Sequence, residues 1–355
     1  MTAAPRLSRL WWVTGPLLAL IVGAVVVVAA LPTPYVTFAP GGARAVEPLV
    51  TVVPADGSPE VDVDPATDDL LYLTVSTSVE PSGLYVLRGL FDDAIQVEPS
   101  SGYLGTQSRD ESRKLNLELM TDSQDKARKV ALERLGYDVT ATPQGAFLED
   151  VDPSVPAAAV LRPGMTVVGA EGEPVRTRDD LVDAIEAAEP GDDLDLEVVP
   201  LGERTPESVE ATLTERPSQP GKAVLGVSVA DRVSYEFPID IRIDSGKVGG
   251  PSAGLAFTLA ILDRLTPGRL TGDGRVAVTG TIELDGSVGP VGGVQHKARA
   301  AIREGAELML VPPDEYDEAV EAADGRLDVE AVASLDDALD ALAAHGGSGL
   351  PPAAD

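Results

Sequence analysis

Ser252 and Lys297 have side-chain types and surroundings suited to the chemistry of peptide-bond cleavage. Ser252 lies in the segment GGPSAG (249–254), directly before an apolar run over residues 255–265 that predicts a buried helix. The start of a helix offers unpaired N–H groups and a positive dipole end, which suit an oxyanion. A serine there attacks a carbonyl only if a base removes its proton. Taken alone, this serine is more typical of an ordinary helix N-cap.

Histidine is the usual base, and neither of the two histidines fits that role. His345 lies in the tail HGGSGL, which we expect to be mobile. His296 is predicted at the start of a short helix, on a side that is half in solvent. A Gly-x-Ser-x-Gly elbow with either histidine as its base does not fit either. A histidine triad is therefore not expected.

Lys297 is the one cation on the apolar side of a helix predicted over residues 294–304. If Lys297 is buried, desolvation lowers its pKa, and the neutral amine accepts the proton of Ser252. Serine–lysine pairs are an accepted variant of the catalytic triad. Taken alone, a lysine on an apolar face more often extends its amine to solvent, so a purely structural role is the alternative.

Three segments in this order resemble the proteolytic domain of Lon proteases: VGGPSAG (248–254), VTGTIELDG (278–286) and VGPVGGVQHK (288–297). The resemblance implies an α/β Lon-type fold over residues 222–345, with Ser252 and Lys297 as the catalytic dyad. Thr279 matches the threonine of the family's T-G-x-I motif and is a candidate for orienting the lysine. The backbone N–H groups of Ser252 and Ala253, at the helix start, are the expected oxyanion donors.

The sequence departs from ATP-dependent Lon enzymes at two positions. Gly249 stands where those enzymes often carry Asp, and Thr281 stands where they carry Glu. The segment G-x-x-x-x-G-K-[ST], which binds nucleotide phosphates, does not occur in the sequence. We therefore expect an ATP-independent peptidase without cofactor or metal, acting on unfolded, flexible or short substrates.

Residues 137–215 show a second pattern, in which turns and short strands surround one helix. Thr177 and Asp180 form a capping box for that helix, and residues 166–170 and 194–200 are predicted strands. The segment AAAVLRPGMTVVGAEGEPVRTRDDLVDAIEAAEPGDDLDLEV resembles a PDZ domain of the kind found in bacterial proteases. The resemblance implies a groove that accepts an extended peptide by strand addition. The alternative is a small domain that acts only as a spacer.

An uncharged segment over residues 10–31 predicts a transmembrane helix, because a helix of that length is about 33 Å long and a bilayer core is about 30 Å thick. Arg6 and Arg9 precede the segment, which places residues 1–9 in the cytoplasm and the remainder outside. A cleaved signal peptide is the alternative. The expected location is therefore the cell membrane, single-pass, with the catalytic part extracytoplasmic.

Residues 32–136 are predicted as a small N-terminal α+β region. Strands are expected at 70–75 and 84–87, with a turn at 56–59, and a helix capped by Thr121 over residues 122–135. We find no catalytic chemistry in this region, and a packing and positioning role is expected. Residues 346–355 are predicted as a flexible tail.

Composition excludes several classes of function. The formal net charge is −31, which repels nucleic acid and anionic lipid headgroups. The sequence has no cysteine, so disulfides, thiolate zinc sites and cysteine nucleophiles are excluded. Hydrophobic residues make up 44% of the chain, which is enough to fill the cores of folded domains.

The predicted fold class is therefore an α/β Lon-type proteolytic domain preceded by a PDZ-like domain, a small α+β region and one transmembrane helix. The predicted function is a membrane-anchored serine endopeptidase with a Ser252–Lys297 dyad, whose partners are protein or peptide substrates held in the PDZ-like groove. The family resemblance also implies a homo-oligomer, commonly a hexamer. The alternatives are a non-catalytic surface scaffold that binds peptides and a peptidase that cleaves only itself.

Overall fold

The computed structural model of the chain describes residues 8–53, 62–105, 107–215 and 220–348, without the side chains of residues 8–13 and 30. The helices of this part of the chain are α1 (Ser8–Ala30), α2 (Gly83–Gly89), α3 (Ser100–Leu104), α4 (Arg109–Arg134), α5 (Arg178–Glu186), α6 (Gly254–Leu265), α7 (Val294–Arg303), α8 (Tyr316–Ala323) and α9 (Leu335–Ala344). Short 3-10 turns cover Glu47–Leu49, Pro156–Ala159 and Pro313–Glu315.

The strands of the same residues are β1 (Tyr35–Ala45), β2 (Val50–Val53), β3 (Leu70–Val79), β4 (Gln96–Pro99), β5 (Thr140–Val151), β6 (Thr166–Ala170), β7 (Glu173–Pro174), β8 (Asp193–Val199), β9 (Glu207–Thr212), β10 (Thr214–Glu215), β11 (Ala223–Val224), β12 (Val227–Glu236), β13 (Asp240–Ile243), β14 (Val276–Val278), β15 (Thr281–Ile282), β16 (Val288–Gly289), β17 (Leu308–Val311) and β18 (Asp328–Ala331). The chain forms two compact units, residues 1–40 with 75–103 and residues 41–74 with 104–355.

The smaller unit contains α1, α2, α3 and β4. Residues 35–38 of β1 pair antiparallel with residues 96–99 of β4. Ser82 caps α2, because its hydroxyl accepts a hydrogen bond from the Tyr85 N–H at 3.4 Å. The prediction of a strand over residues 84–87 is therefore wrong, since those residues follow a serine cap and form a helix.

The segment predicted to cross a membrane, residues 10–31, coincides with α1 up to Ala30. The side chains at residues 10–13 and 30 lie outside the described part of the structure. Among the described residues, no helix combines the length and the apolar character that a membrane span requires. The predicted transmembrane helix therefore has no support from the structure.

Six strands within residues 140–236, called here the inserted module, form one antiparallel sheet in the order β12-β5-β6-β8-β9, with β7 paired to β6, and β10 and β11 form a separate pair. Buried residues alternate along β8, as expected for a strand with one face against a core. The helix α5 packs against β5, β6, β11 and β12, and buries Leu181 and Ile185 in the module's own hydrophobic core. The predicted capping box of Thr177 and Asp180 is confirmed.

The segments that flank the module in the sequence form the α/β core, built from residues 41–53, 62–74, 104–105, 107–136 and 237–348. Its central strands run parallel in the order β18-β17-β14-β3. Leu70 and Tyr72 of β3 face a cluster that includes α4, α6 and α9. Leu71 and Leu73 face a second cluster that includes α7 and α8. Because successive side chains of a strand point to opposite faces, the core has helices on both sides of its sheet.

The α/β core is assembled from chain segments on both sides of the inserted module. Strand β2 pairs antiparallel with β13, and β3 pairs parallel with β14. The helix α4 packs along α6. This arrangement differs from the predicted boundaries at two places. The described residues of 41–74 and 104–136 belong to the core rather than to a region of their own. Strand β12, predicted within 222–345, pairs with β5 of the module.

The helix predicted over residues 122–135 is longer than expected and begins at Arg109. Ser108 and Glu111 form a capping box at its start, so the helix begins there. Thr121 does not cap it, since its hydroxyl donates to the Leu117 carbonyl within the helix, at 3.1 Å. The predicted turn at 56–59 lies outside the described residues.

Candidate active site

Ser252 lies in the turn before α6, one residue before the helix N-cap. The N-cap residue is Ala253, and no side chain caps the helix. The alternative role of Ser252 as an ordinary cap is therefore wrong, and its hydroxyl is not used to close the helix end. The glycines before Ser252 permit the turn, because Gly250 has a φ of +90° and a Cβ on Gly249 would lie 2.9 Å from the Cβ of Asn116.

Two backbone amides at this turn have no hydrogen-bond acceptor in the described part of the chain, those of Ser252 and Ala253. The next two amides are occupied: Gly254 donates to Pro251 and Leu255 donates to Gly280, each at 3.2 Å. The two open N–H groups lie at the positive end of α6, a helix whose residues are almost all buried. They are suited to stabilise a developing oxyanion.

Lys297 lies on α7 and does not extend its amine to solvent. Its side chain is 2% exposed, and the neighbouring Val294, Ala300 and Ala301 are fully buried. Arg303, farther along the same helix, is exposed. The prediction that Lys297 lies on the apolar side of a helix at 294–304 is confirmed, and α7 covers Val294–Arg303.

Burial lowers the pKa of Lys297 from 10.5 to about 7, because the charged ammonium loses its hydration. The carboxylate of Glu315 acts in the opposite direction and raises this pKa, since a negative charge favours the ammonium form. Desolvation is the larger effect. A substantial fraction of the Lys297 amine is therefore neutral near pH 7 and able to accept a proton.

Thr279 connects Lys297 to the turn of Ser252. The Lys297 amine donates to Thr279 Oγ1 at 3.0 Å, and that hydroxyl donates to the Ser252 carbonyl oxygen at 3.2 Å. The Gly280 N–H donates to the same carbonyl at 3.1 Å. The described residues contain no direct hydrogen bond between Lys297 Nζ and Ser252 Oγ. The structure thus brings the three predicted residues into one hydrogen-bonded group through the backbone of Ser252.

The histidines lie in different environments from those predicted. His296 is 1% exposed rather than half-solvated, and its two ring nitrogens have no hydrogen-bond partner among the described residues. Burial and the nearby Arg299 lower the pKa of His296, which favours the neutral ring. His345 is the C-cap of α9, with its Nδ1 2.9 Å from the Ala341 carbonyl oxygen. No hydrogen bond joins either ring to Ser252 in this part of the chain.

Sequence reasoning missed two residues of α4 that contact the turn. The Asn116 carbonyl accepts from the Gly250 N–H at 2.7 Å, and Ser123 Oγ donates to the Pro251 carbonyl at 2.9 Å. These contacts join residues more than 100 positions apart in the sequence. No local sequence pattern indicates these contacts, because neither Asn116 nor Ser123 lies in a recognisable motif. The residues around each of them read as an ordinary packed helix.

The edge strand β12 of the inserted module lies beside α5. The Arg178 N–H at the start of α5 donates to the Asp231 carboxylate at 2.7 Å, and Val227 and Val229 of β12 pack against the module's core. A cavity of about 400 Å³ lies at the beginning of β12, lined among others by Gly226. This edge offers unpaired backbone groups of the kind that an added strand uses.

Comparison with known families agrees with the geometry. Residues 197–344 match the Lon protease (S16) C-terminal proteolytic domain. The chain is 32% identical over 142 residues to the Lon protease of Haemophilus influenzae, and 35% identical over 156 residues to that of Methylocella silvestris. These matches cover 39% and 43% of this chain. They support a serine-type peptidase domain.

The chain spans less than a fifth of the length of these relatives, 17% and 18%. Among solved structures, the chain is similar to the PDZ domain of an SdrC-like protein from Listeria monocytogenes, with 24% identity and a TM-score of 0.23. That match covers 25% of this chain and 90% of the other. A PDZ domain of an SdrC-like protein from Listeria innocua is similar at 22% identity and a TM-score of 0.22, covering 24% of this chain and 92% of the other.

Proposed function

We propose that the chain is a serine endopeptidase in which Ser252 is the nucleophile and Lys297 is the general base. The observation that carries the proposal is the buried Lys297 amine, with its pKa lowered to about 7 and its hydrogen bond to Thr279. Burial of a lysine amine costs stability, so its presence near a serine whose turn has two open amides favours a catalytic role.

In the proposed reaction, the neutral amine of Lys297 takes the proton of Ser252 Oγ as the oxygen attacks the scissile carbonyl. The resulting oxyanion accepts hydrogen bonds from the N–H groups of Ser252 and Ala253. The Lys297 ammonium then gives its proton to the leaving amine, and the peptide C–N bond breaks. Water hydrolyses the acyl-enzyme with Lys297 again as base. The first step needs a Ser252 rotamer that brings Oγ within hydrogen-bond distance of Lys297 Nζ. Catalytic hydrogen bonds are often long in the free enzyme and shorten when substrate binds.

We further propose that the reaction is independent of ATP and that its substrates are unfolded, flexible or short. This rests on the sequence, in which no G-x-x-x-x-G-K-[ST] segment occurs. A peptidase domain that acts without an unfolding motor cleaves only peptide bonds that are already accessible. A homo-oligomer is proposed from the family resemblance alone.

The proposed location is the outer side of a cell membrane, with the chain anchored near its N-terminus. The support is in the sequence: residues 10–31 carry no charge, and Arg6 and Arg9 precede them. Fractionation of cells that express the full chain, followed by protease protection of intact and opened cells, tests this location. We expect added protease to digest the inserted module in intact cells. Resistance of the module to protease in intact cells would indicate that it is cytoplasmic and would contradict the proposed location.

The inserted module is proposed to hold peptide substrates along β12 by strand addition. The edge position of β12 next to α5 supports this proposal. A peptide paired with β12 would have its side chains alternately facing α5 and solvent. Cross-linking of a photoreactive peptide to residues of α5 or β12 is the measurement that checks it.

The catalytic proposal is tested on the full chain with an acylating serine reagent and a flexible peptide substrate. We expect one reagent molecule on Ser252 by mass spectrometry, and loss of labelling and cleavage in Ser252→Ala and Lys297→Ala. Lys222→Ala is the matched control, because the Lys222 side chain is 67% exposed and lies on the inserted module. Full cleavage by either active-site variant refutes the dyad. A folded wild-type chain that is neither labelled nor active favours the non-catalytic scaffold instead.

A further inference from the structure

The carbonyl in front of Ser252 is held by a side chain from α4. Ser123 is 3% exposed, and its Oγ donates to the Pro251 carbonyl oxygen at 2.9 Å. A Cβ added to Gly254 would lie 2.9 Å from the same Oγ. The Ser123 hydroxyl therefore contacts both ends of the turn that carries Ser252.

The direction of the Pro251 carbonyl fixes the direction of the Ser252 N–H. Both belong to one planar, trans peptide group, so they point in opposite directions. The ring of Pro251 also fixes its φ near about −65°, which removes one freedom from the turn. Because the Ser252 N–H has no acceptor among the described residues, the hydrogen bond of Ser123 leaves this donor open and fixed in direction.

The second open amide is fixed in the same way by other residues. The Ser252 carbonyl, which shares a peptide group with the Ala253 N–H, accepts from Gly280 N–H at 3.1 Å and from Thr279 Oγ1 at 3.2 Å. Thr279 and Gly280 lie within the matched residues 197–344, whereas Ser123 lies outside them. The Pro251 carbonyl accepts from the Gly254 N–H at 3.2 Å as well as from Ser123 Oγ at 2.9 Å. The first amide thus depends in part on Ser123, a residue to which the family match assigns nothing.

The backbone of α4 holds the turn at a second point. The Gly250 N–H donates to the Asn116 carbonyl at 2.7 Å, and Asn116 lies seven residues, about two helical turns, before Ser123. Residues at this spacing share one face of a helix. The same face of α4 therefore holds the turn at two successive residues, Gly250 and Pro251.

We propose that Ser123 is a positioning residue whose hydroxyl aims the Ser252 N–H at the carbonyl oxygen of the scissile bond. This rests on the proposed function, because an oxyanion donor has a role only if Ser252 attacks a carbonyl. Loss of one oxyanion donor lowers kcat by about 100- to 1,000-fold. In Ser123→Ala the donor stays and loses only its fixed direction, so we expect a smaller decrease in kcat, about 10- to 100-fold.

The experiment compares Ser123→Ala with Ser112→Ala in the full chain. Ser112 is a matched control, because it is also buried on α4, with 8% exposure, and its hydroxyl has no hydrogen bond to the turn among the described residues. Five quantities are measured. They are kcat and KM for a flexible peptide, the inhibition constant of a peptide aldehyde whose hemiacetal oxygen occupies the oxyanion position, the pH profile, and the fraction of chains labelled by an acylating reagent at completion. Ser123→Thr retains the hydroxyl and serves as the rescue variant.

For Ser123→Ala we expect kcat to fall and aldehyde binding to weaken by similar factors, with KM changed less than about threefold. The labelled fraction and the inflection of the pH profile should match wild type, and Ser112→Ala should match it throughout. Wild-type kcat and aldehyde binding in Ser123→Ala overturn the proposal. A fall in activity that only parallels a fall in the labelled fraction also overturns it, because it indicates a purely structural role. A wild-type chain without labelling or cleavage refutes the proposed function itself, which is a different result.

Discussion

Glu315 and the buried Lys297 amine give a prediction in which the direction of a pH shift follows from the structure. The Glu315 carboxylate raises the pKa of Lys297, which desolvation has lowered to about 7. Glu315→Gln removes that negative charge, while the amide oxygen can still accept the hydrogen bond from the Val291 N–H at 3.1 Å. The pKa of Lys297, and with it the acid limb of the activity profile, should therefore move to lower pH.

The size of the effect follows from the titration of one group. With a pKa of about 7, the neutral fraction of the Lys297 amine rises roughly tenfold per pH unit below neutrality and levels off above it. An amine with the ordinary value of 10.5 would be less than about 1% neutral at pH 8. Removal of one partly screened charge in a protein interior changes a neighbouring pKa by roughly 0.5 to 1 unit, so the inflection should move from near 7 towards about 6 to 6.5.

The assay is the rate constant for acylation of Ser252 by a small serine reagent whose own reactivity is constant between pH 5 and pH 10. Wild type and Glu315→Gln are compared across this range, with the exposed Glu321→Gln on the next helix as the matched control. We expect a single inflection in each curve, displaced to lower pH only in Glu315→Gln.

Two results would refute the reasoning. A wild-type curve that still rises steeply at pH 9 would show that the Lys297 amine keeps its ordinary pKa. A displacement to higher pH in Glu315→Gln would show that the carboxylate acts on Lys297 by some route other than its charge. In Lys297→Met, any residual rate should show no inflection near pH 7.

The same titration affects stability. The folded chain holds the pKa of Lys297 below that of the unfolded chain, so the unfolded chain binds more protons between about pH 7 and 10.5. The free energy of unfolding should therefore rise with pH over this interval, by up to about 1.4 kcal/mol per unit. Lys297→Met should remove this slope and stabilise the chain at pH 7 by a few kcal/mol, on the order of 2–4, at the expense of activity. Denaturant unfolding at pH 7 and pH 10 measures both effects.

Four further outcomes follow from other contacts. Thr279→Val leaves the Lys297 amine without its partner and should lower the acylation rate by roughly 10-fold or more, whereas Thr279→Ser should restore most of it. Burial raises the pKa of Glu47 to about 7, so between pH 4.5 and about 7 the Glu47 carboxyl is protonated more in the folded chain than in the unfolded chain. The free energy of unfolding should therefore fall as the pH rises through this interval. Glu47→Gln should flatten that decline, measured by urea unfolding at pH 5 and pH 8. Leu181→Ala, in the core of the inserted module, should cost about 2–4 kcal/mol in thermal or urea unfolding. Gly254→Ala places a Cβ 2.9 Å from Ile282 Cγ2 and should destabilise the chain by about 1–3 kcal/mol.

Features that depend on neighbours in the sequence were predicted well. The strand at Thr166–Ala170, the capping box of Thr177 and the buried helix after Ser252 were each predicted from a few adjacent residues. Capping and side-chain periodicity act over one or two turns, so their signals lie within a short window. The burial of Lys297 could also be inferred, because the apolar side of α7 is marked by Val294 and Ala301.

The errors have two causes: a local cap was overlooked in one place, and distant segments decide the outcome in the others. Residues 84–87 alternate like a strand, yet Ser82 caps them as a helix. His296 looks half-solvated when judged by Arg299, but the packing of α7 in the α/β core buries its ring. The hydrogen bond between Ser123 and Pro251 spans 128 positions of sequence. A single sequence has no local pattern that records such a contact.

The entry and exit of the inserted module have a consequence for how the chain is made. Thr140 and Glu236 are paired residues of β5 and β12, so the chain leaves the α/β core and returns to it at adjacent positions. During synthesis, β2, β3 and α4 emerge from the ribosome well before β13, β14 and α6, their partners on the far side of the module. The module can fold before these earlier segments have partners to pair with. Its folding then brings together the parts of the α/β core that precede and follow it in the sequence. Interruption of translation before residue 240 should therefore yield a folded module on an unfinished core, a species that cannot contain Ser252 and so cannot cleave anything.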